Sequence, residues 1–222
     1  MDEARATVSD VAATNSLNET IDTLQKASLD TSLSLARARA GLVQELVEVF
    51  DIVEVGGRPS LLGNTKMALK GEWKIVDAVF PVPGDVRRYP IEDINATVIH
   101  TLHFIGLLTF YLGIKLPFEV SWGGPLETPS VGEPFIAAGH GSEAGGWAKW
   151  TDPYPLHLSP ASSDKEKAKE EKDGQAFTTG LAMLLYNVVY LAHTQGVDVT
   201  LSQSGETLRN LWAVCCSAEL GK

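Results

Sequence analysis

The first fifty residues constrain the fold most, because they contain no proline and a single glycine, Gly41. Within them, apolar residues recur at helical spacing, at Leu17, Ile21, Leu24, Leu35, Leu42 and Leu46. The stripe resumes near its end with Val49 and Phe50, and it is weakest around residues 28–32, which are mostly polar. This pattern predicts one long helix, or two helices in series.

A helix of this length predicts a second polypeptide. Nearly fifty residues at 1.5 Å per residue span roughly 70 Å, more than the diameter of the domain that follows. We expect residues 1–50 to be a helical arm that ends a coiled coil, with the six striped residues contacting the partner. The alternative is a bundle helix that folds back on its own domain.

Residues 51–222 alternate between strand and helix patterns, which predicts an α+β domain behind the arm. The predicted strands are 50–55, 73–80, 117–122, 135–137 and 197–199, and the predicted helices are 91–112, 177–194 and 205–218. Residues 159–175 contain no apolar residue larger than alanine, so we expect a loop or disordered insert there. A short solvated helix is the alternative, because the run of lysine, glutamate and alanine favours helix.

Charge and cysteine content narrow the function classes. The net charge is −10, from 28 acidic and 18 basic residues, which argues against a nucleic-acid-binding protein. Residues 1–54 carry 10 acids and 4 bases, so the arm holds most of the acidity. The two cysteines, Cys215 and Cys216, are adjacent, which predicts no disulfide framework and fits a reducing compartment. No basic segment followed by an apolar run marks a signal peptide.

One segment has the length of a membrane span, since residues 94–114 contain no aspartate, glutamate, lysine or arginine. Its polar residues, among them Asn95, His100 and His103, instead favour a core helix with one less buried side.

Candidate chemistry is sparse. His100 and His103 are three residues apart on a predicted helix, but two ligands do not make a metal site. The glycine-rich stretch from Gly139 to Gly146 matches neither a phosphate-binding loop nor a nucleophile elbow. We therefore expect no catalytic residue, no metal and no cofactor. A small hydrolase or transferase using His140 and Ser142 in that stretch remains the alternative.

Aromatic residues cluster in one glycine- and proline-rich loop, at Trp147, Trp150 and Tyr154, with Lys149 among them. Rings with a polar edge suit the lipid interface, so these four residues are candidates for membrane contact. The alternative is that the rings point into the core from short strands.

Several motifs together resemble a known family. They are Arg39 with Leu42, Leu46, Phe50 and Ile52; Trp73 with Ile75; Pro83-Gly84-Asp85 with Arg87-Arg88-Tyr89-Pro90; Ile94-Asn95-Ala96; Leu102-His103-Phe104; the run from Phe110 to Glu119; Tyr186-Asn187 with the run from Tyr190 to Gly196; and the run from Leu211 to Glu219. Over residues 30–220 the chain resembles the C-terminal half of the Barkor/UVRAG family, and within it the fungal autophagy-related 14 branch.

This resemblance implies a non-catalytic subunit of the class III phosphatidylinositol 3-kinase complex in autophagy. It implies a parallel coiled coil with a beclin-type subunit, a beclin-like C-terminal domain of repeated sheet and helix units, and assembly with the kinase and its regulatory kinase subunit. It also implies a cytoplasmic protein, peripheral on membranes at autophagosome formation sites and on the vacuole. The family's cysteine-rich N-terminal segment and most of its coiled coil have no counterpart here, so we expect a fragment or short gene model. The membrane-binding tail of animal members has no clear match either.

Overall fold

The computed structural model describes residues 2–56, 72–80, 89–123, 132–139, 151–159 and 167–222, with side chains from residue 14 in the first range and residue 172 in the last. The elements are α1 (Asp2–Phe50), β1 (Val53–Val55), β2 (Glu72–Ile75), β3 (Ala78–Val79), α2 (Ile91–Leu112), β4 (Phe118–Trp122), β5 (Pro134–Ala138), β6 (Tyr154–Pro155), α3 (Lys167–Thr194), a 3₁₀ turn (Leu201–Gln203) and α4 (Thr207–Cys215). This mixture of helices and two small sheets is the α+β architecture that the sequence predicted.

Helix α1 is continuous over 49 residues, so the first of the two helical predictions is the one observed. At 1.5 Å per residue it is about 74 Å long. Every described side chain from 14 to 35 is exposed, and burial against the body begins only at residue 36. The arm therefore meets the body through its last four turns.

The body repeats one arrangement twice: a three-stranded antiparallel sheet followed by a long helix. The first unit has strand order β1-β2-β3 and is followed by α2, which packs on β2 and β3. The second has order β4-β5-β6 and is followed by α3, which packs on all three of its strands. Because each sheet is a simple meander, a helix can cover its apolar face directly.

The single strand predicted over 73–80 is wrong, because the chain reverses in its middle. Val76 and Asp77 have positive φ angles of 48° and 64°, and β3 folds back on β2 with Ile75 opposite Ala78. A two-residue hairpin turn needs positive φ at both central residues, a geometry usually signalled by Asn-Gly or Asp-Gly. The Val-Asp pair is not one of these turn signals, so the hydrophobic pattern of the sequence predicts an uninterrupted strand through the turn.

Three further elements differ from the expected boundaries. Helix α3 begins at Lys167, so residues 167–175 are helical where a loop was favoured. Residues 197–199 form no strand; they lead from Gly196, whose φ is 69°, into the 3₁₀ turn. The last helix is shorter than predicted and ends at Cys215.

Two asparagines fasten the second sheet to the helices. Asn187 in α3 donates to the Phe118 carbonyl at 2.8 Å, and its Oδ1 accepts the Phe118 N–H at 3.1 Å. Asn95 in α2 makes the same pair of bonds with Leu158, both at 2.8 Å. Each side-chain amide thus pairs with a backbone N–H and C=O as another peptide group would, which explains polar residues on otherwise apolar helices.

Candidate functional site

The last turns of α1 show two adjacent faces with different environments. Val43 and Leu46 are 0% and 6% exposed and belong to the core of the body. Phe50 lies beside them, and its ring meets Phe104 of α2 edge-on at 5.4 Å between centroids. Leu46 was predicted to contact a partner; the structure places it in this inner face.

The outer face carries the exposed apolar residues. Five of the six predicted contact residues lie on it, with exposures of 60% for Leu17, 42% for Ile21, 65% for Leu24, 49% for Leu35 and 43% for Leu42. Val49, 76% exposed, continues the same line beyond Leu42. The sequence pattern places Val49 and Phe50 in the same apolar stripe, and only their different burial shows that they belong to different faces of α1.

The exposed line fits a seven-residue repeat. We call its a and d positions the α1 seam: Thr14, Leu17, Ile21, Leu24, Ser28, Thr31, Leu35, Ala38, Leu42, Glu45 and Val49. All eleven side chains are exposed. Alternating steps of three and four residues keep such positions on one side of a helix, which is the pattern of a coiled-coil seam. Two other exposed leucines, Leu29 and Leu33, lie off this line.

The polar middle of the α1 seam is compatible with packing. Thr31 donates its hydroxyl to the Ala27 carbonyl at 2.8 Å, one turn back in the same helix. Because that hydroxyl is satisfied internally, the threonine methyl group is left to contact a neighbour. The middle layers are therefore weak rather than repulsive.

Arg39 fixes the direction in which the arm leaves the body. Its Nη1 donates to the Gly221 carbonyl at 3.0 Å, and its Nη2 lies 3.3 Å from where a Cβ at Gly113 would stand. Gly113 ends α2 and Gly221 is the penultimate residue, so one guanidinium joins three separate parts of the chain. The α1 seam is thus presented on a fixed support.

The predicted membrane-contact residues fall mostly outside the described residues, which is the case for Trp147, Lys149 and Trp150. Tyr154 is described; it lies in β6, is half-buried and packs against the core. The membrane role of these four residues stays a prediction.

The histidine and cysteine side chains that could carry chemistry lie in different surroundings within the described residues. Among the described residues, no group of three or more histidine, cysteine or acidic side chains is placed to hold a metal ion. His103 stacks on Trp122, with ring centroids 5.2 Å apart. Burial, with a smaller contribution from Cys216, raises the pKa of Cys215 from 9.0 to about 12, so this thiol stays protonated. Of the glycine-rich stretch only Gly139 is described.

An open cleft of about 640 Å³ lies between α2, β4 and α3. Its lining is mainly apolar and contains neither serine nor cysteine, and its polar residues include His103, Lys115 and Glu119. Asn187 also faces it, but both ends of that amide are engaged with β4. The described lining is therefore that of a mainly apolar groove with a few polar side chains.

Two helices, α2 and residues 172–194 of α3, are long and apolar enough to cross a membrane by length and composition. Half of each is buried inside the protein. In α2 the buried Thr101 hydroxyl donates to the Thr97 carbonyl at 2.8 Å, so a polar group is satisfied within the helix. Length and composition alone do not assign either helix to a membrane.

Together these features define a helix-armed α+β protein whose described surface carries a long line of exposed apolar residues on α1. The family model described as vacuolar sorting 38 and autophagy-related subunit 14 matches residues 6–218, and the chain belongs to that family. A search of the curated proteins found no match. The family consists of autophagy-related subunits of a phosphatidylinositol 3-kinase complex, which are regulatory rather than catalytic.

The match confirms the expected resemblance to the autophagy-related 14 branch. The broader Barkor/UVRAG name is only loosely related to the matched family. Neither the match nor the described residues support the hydrolase or transferase alternative.

Proposed function

We propose that this protein is a scaffolding and targeting subunit of the class III phosphatidylinositol 3-kinase complex that acts in autophagy. Its α1 seam pairs with a helix of a beclin-type subunit in a parallel coiled coil. The observation that carries this proposal is the exposed apolar line from Leu17 to Val49 on a helix of a family member. Apolar side chains in such a line gain free energy when a second helix covers them.

The body then serves as the second contact with the complex. Its two successive sheet-and-helix units are in keeping with a beclin-like domain, and such a domain would sit beside that of the beclin-type subunit. Through this pairing the protein would join the kinase and its regulatory kinase subunit. It would act in the cytoplasm, at membranes where autophagosomes form and at the vacuolar membrane.

Co-expression with a beclin-type subunit tests the helical pairing. The double variant Leu24→Ser with Leu35→Ser removes two apolar layers of the α1 seam. Because both residues are exposed, it should leave the fold intact while lowering the affinity by roughly 10–100-fold.

The matched control is Leu29→Ser with Leu33→Ser. These leucines are 60% and 43% exposed, close to the values for Leu24 and Leu35, but lie off the α1 seam. They should leave the affinity unchanged. Equal losses of affinity from both double variants would show that the association depends on exposed apolar surface in general and not on the α1 seam.

The membrane part of the proposal assigns lipid contact to the loop that contains Trp147, Lys149 and Trp150 and leads to Tyr154. Trp147→Ala with Trp150→Ala should lower binding to anionic liposomes without shifting the thermal midpoint. Phe110→Ala provides the control, because Phe110 is 78% exposed and lies on α2, in another part of the chain. A large loss of stability in the tryptophan variant would instead show that the rings are core.

A further inference from the structure

One position in the α1 seam constrains the chemistry of the partner, and this inference rests on the proposed function. Glu45 is the seam's single charged residue, and it is exposed. It occupies a d position between Leu42 and Val49, where a coiled coil would normally place an apolar side chain.

The surroundings of Glu45 add negative charge. Glu48 lies three residues further on the same helix, and the last turn of α1 contains no basic residue. Neither carboxylate forms an ion pair with a base in the described part of the chain. A helix C-terminus carries partial negative charge, so the Glu48 carboxylate in the last turn of α1 is unfavourable there, and Glu45 adds a second negative charge one turn earlier.

The flanking positions carry little of the charge with which coiled coils often select a partner. Among the e and g positions between 18 and 48, charge occurs only at Arg39 and Glu48. Arg39 is already engaged with Gly221. The charge within the α1 seam, rather than its borders, is therefore left to discriminate between partners.

We infer that the helix occupying the α1 seam places a lysine or arginine against Glu45, so that the seam takes this basic partner in preference to a second copy of this chain. In a parallel pair, equal d positions face each other across the seam. Two copies would bring Glu45 against Glu45 beside apolar layers, where water screens their repulsion poorly. A basic side chain at that level converts the repulsion into attraction and also meets Glu48.

The whole 222-residue chain tests this without an identified partner. We would measure self-association by sedimentation equilibrium for the wild type, for Glu45→Leu, and for an equimolar mixture of wild type with Glu45→Lys. We expect Glu45→Leu to associate about fivefold more tightly than the wild type, and the mixture about fivefold more tightly than either of its components alone. About 1 M salt should abolish the advantage of the mixture and spare that of Glu45→Leu.

Glu19→Lys is the matched control, because Glu19 is exposed on the outer side of the same helix, at an f position. It should change no association constant. The inference is overturned if Glu45→Leu gains nothing, if the mixture shows no preference, or if Glu19→Lys reproduces the effect. A beclin-type subunit that binds through α1 while these charge effects are absent would leave the proposed function standing and remove this inference alone.

Discussion

The two faces of α1 make opposite predictions for two leucines only one turn apart. Leu46 is 6% exposed and lies in the core, whereas Leu42 is 43% exposed and lies in the α1 seam. Truncating Leu46 to alanine removes buried methyl groups and leaves a cavity between α1 and the body. Such changes cost 2–5 kcal/mol, and because Leu46 lies at the margin of the core we expect about 2–3 kcal/mol.

Leu42→Ala should behave in the reverse way. With nearly half of its surface in water, its loss should cost the isolated chain less than about 1 kcal/mol. In complex with a beclin-type subunit, the same truncation removes a layer of the interface. There we expect about 1.5–2 kcal/mol, or roughly a 10–30-fold weaker affinity.

Two measurements separate these effects. Urea unfolding followed by circular dichroism gives the free energy of unfolding, and Leu46→Ala should also lower the thermal midpoint by roughly 5–10 °C. Titration calorimetry with the beclin-type subunit gives the affinity. If Leu42→Ala destabilised the isolated chain as much as Leu46→Ala did, the division of α1 into inner and outer faces would be refuted.

Three further predictions concern the body. Asn187→Ala should lower the free energy of unfolding in urea by about 3–4 kcal/mol, because it leaves two buried backbone groups without hydrogen-bond partners. Asn95 is only half-buried, so Asn95→Ala should cost about half as much, and equal costs would contradict the burial argument. Iodoacetamide at about pH 8 should label the exposed Cys216 and spare Cys215, whose pKa is raised to about 12, and rapid labelling of both thiols would contradict this. The stability of the fold should decrease as the pH rises above 9.0, because the Cys215 thiol of the unfolded chain ionises before that of the folded chain. Gly221→Ala should lower the free energy of unfolding by about 1–3 kcal/mol, because φ of Gly221 is 76° and the added Cβ would lie 2.9 Å from the Cβ of Arg39. An unchanged midpoint of urea unfolding would contradict this prediction.

Long amphipathic helices were the part of the fold that the sequence predicted best. Helix α2 was expected over 91–112 and is observed over Ile91–Leu112, because one apolar face repeats at helical spacing for six turns. The hairpin at Val76 and Asp77 was missed because its backbone geometry leaves no mark in the residue types. The start of α3 was misplaced because its first turns are polar, and polar sequence is shared by loops and solvated helices.

In the candidate site, too, the sequence pattern predicts which residues are apolar, but the packing of the fold determines which of them are buried. Helical spacing identified the line through Leu17, Leu24 and Leu42, since an apolar stripe is visible without knowledge of the neighbours. It did not separate Leu46 from Val49, because consecutive apolar residues near the end of α1 serve two adjacent faces. Which face the body covers depends on the placement of α2 and α4, and this information is distributed over the rest of the chain.

The physics of an isolated helix explains why an exposed arm of this kind favours binding a second helix. From residue 14 to residue 35 every side chain of α1 is exposed, whereas most helical stability in proteins comes from the packing of an apolar face. The inner face, held by Arg39 and Phe50, supplies a helical end that is already ordered, so the arm extends an existing helix instead of nucleating a new one. Binding a second helix along the α1 seam would therefore add packing energy to a structure that is nearly formed. That arrangement lowers the ordering cost of association and gives the body a rigid connection to whatever the arm binds.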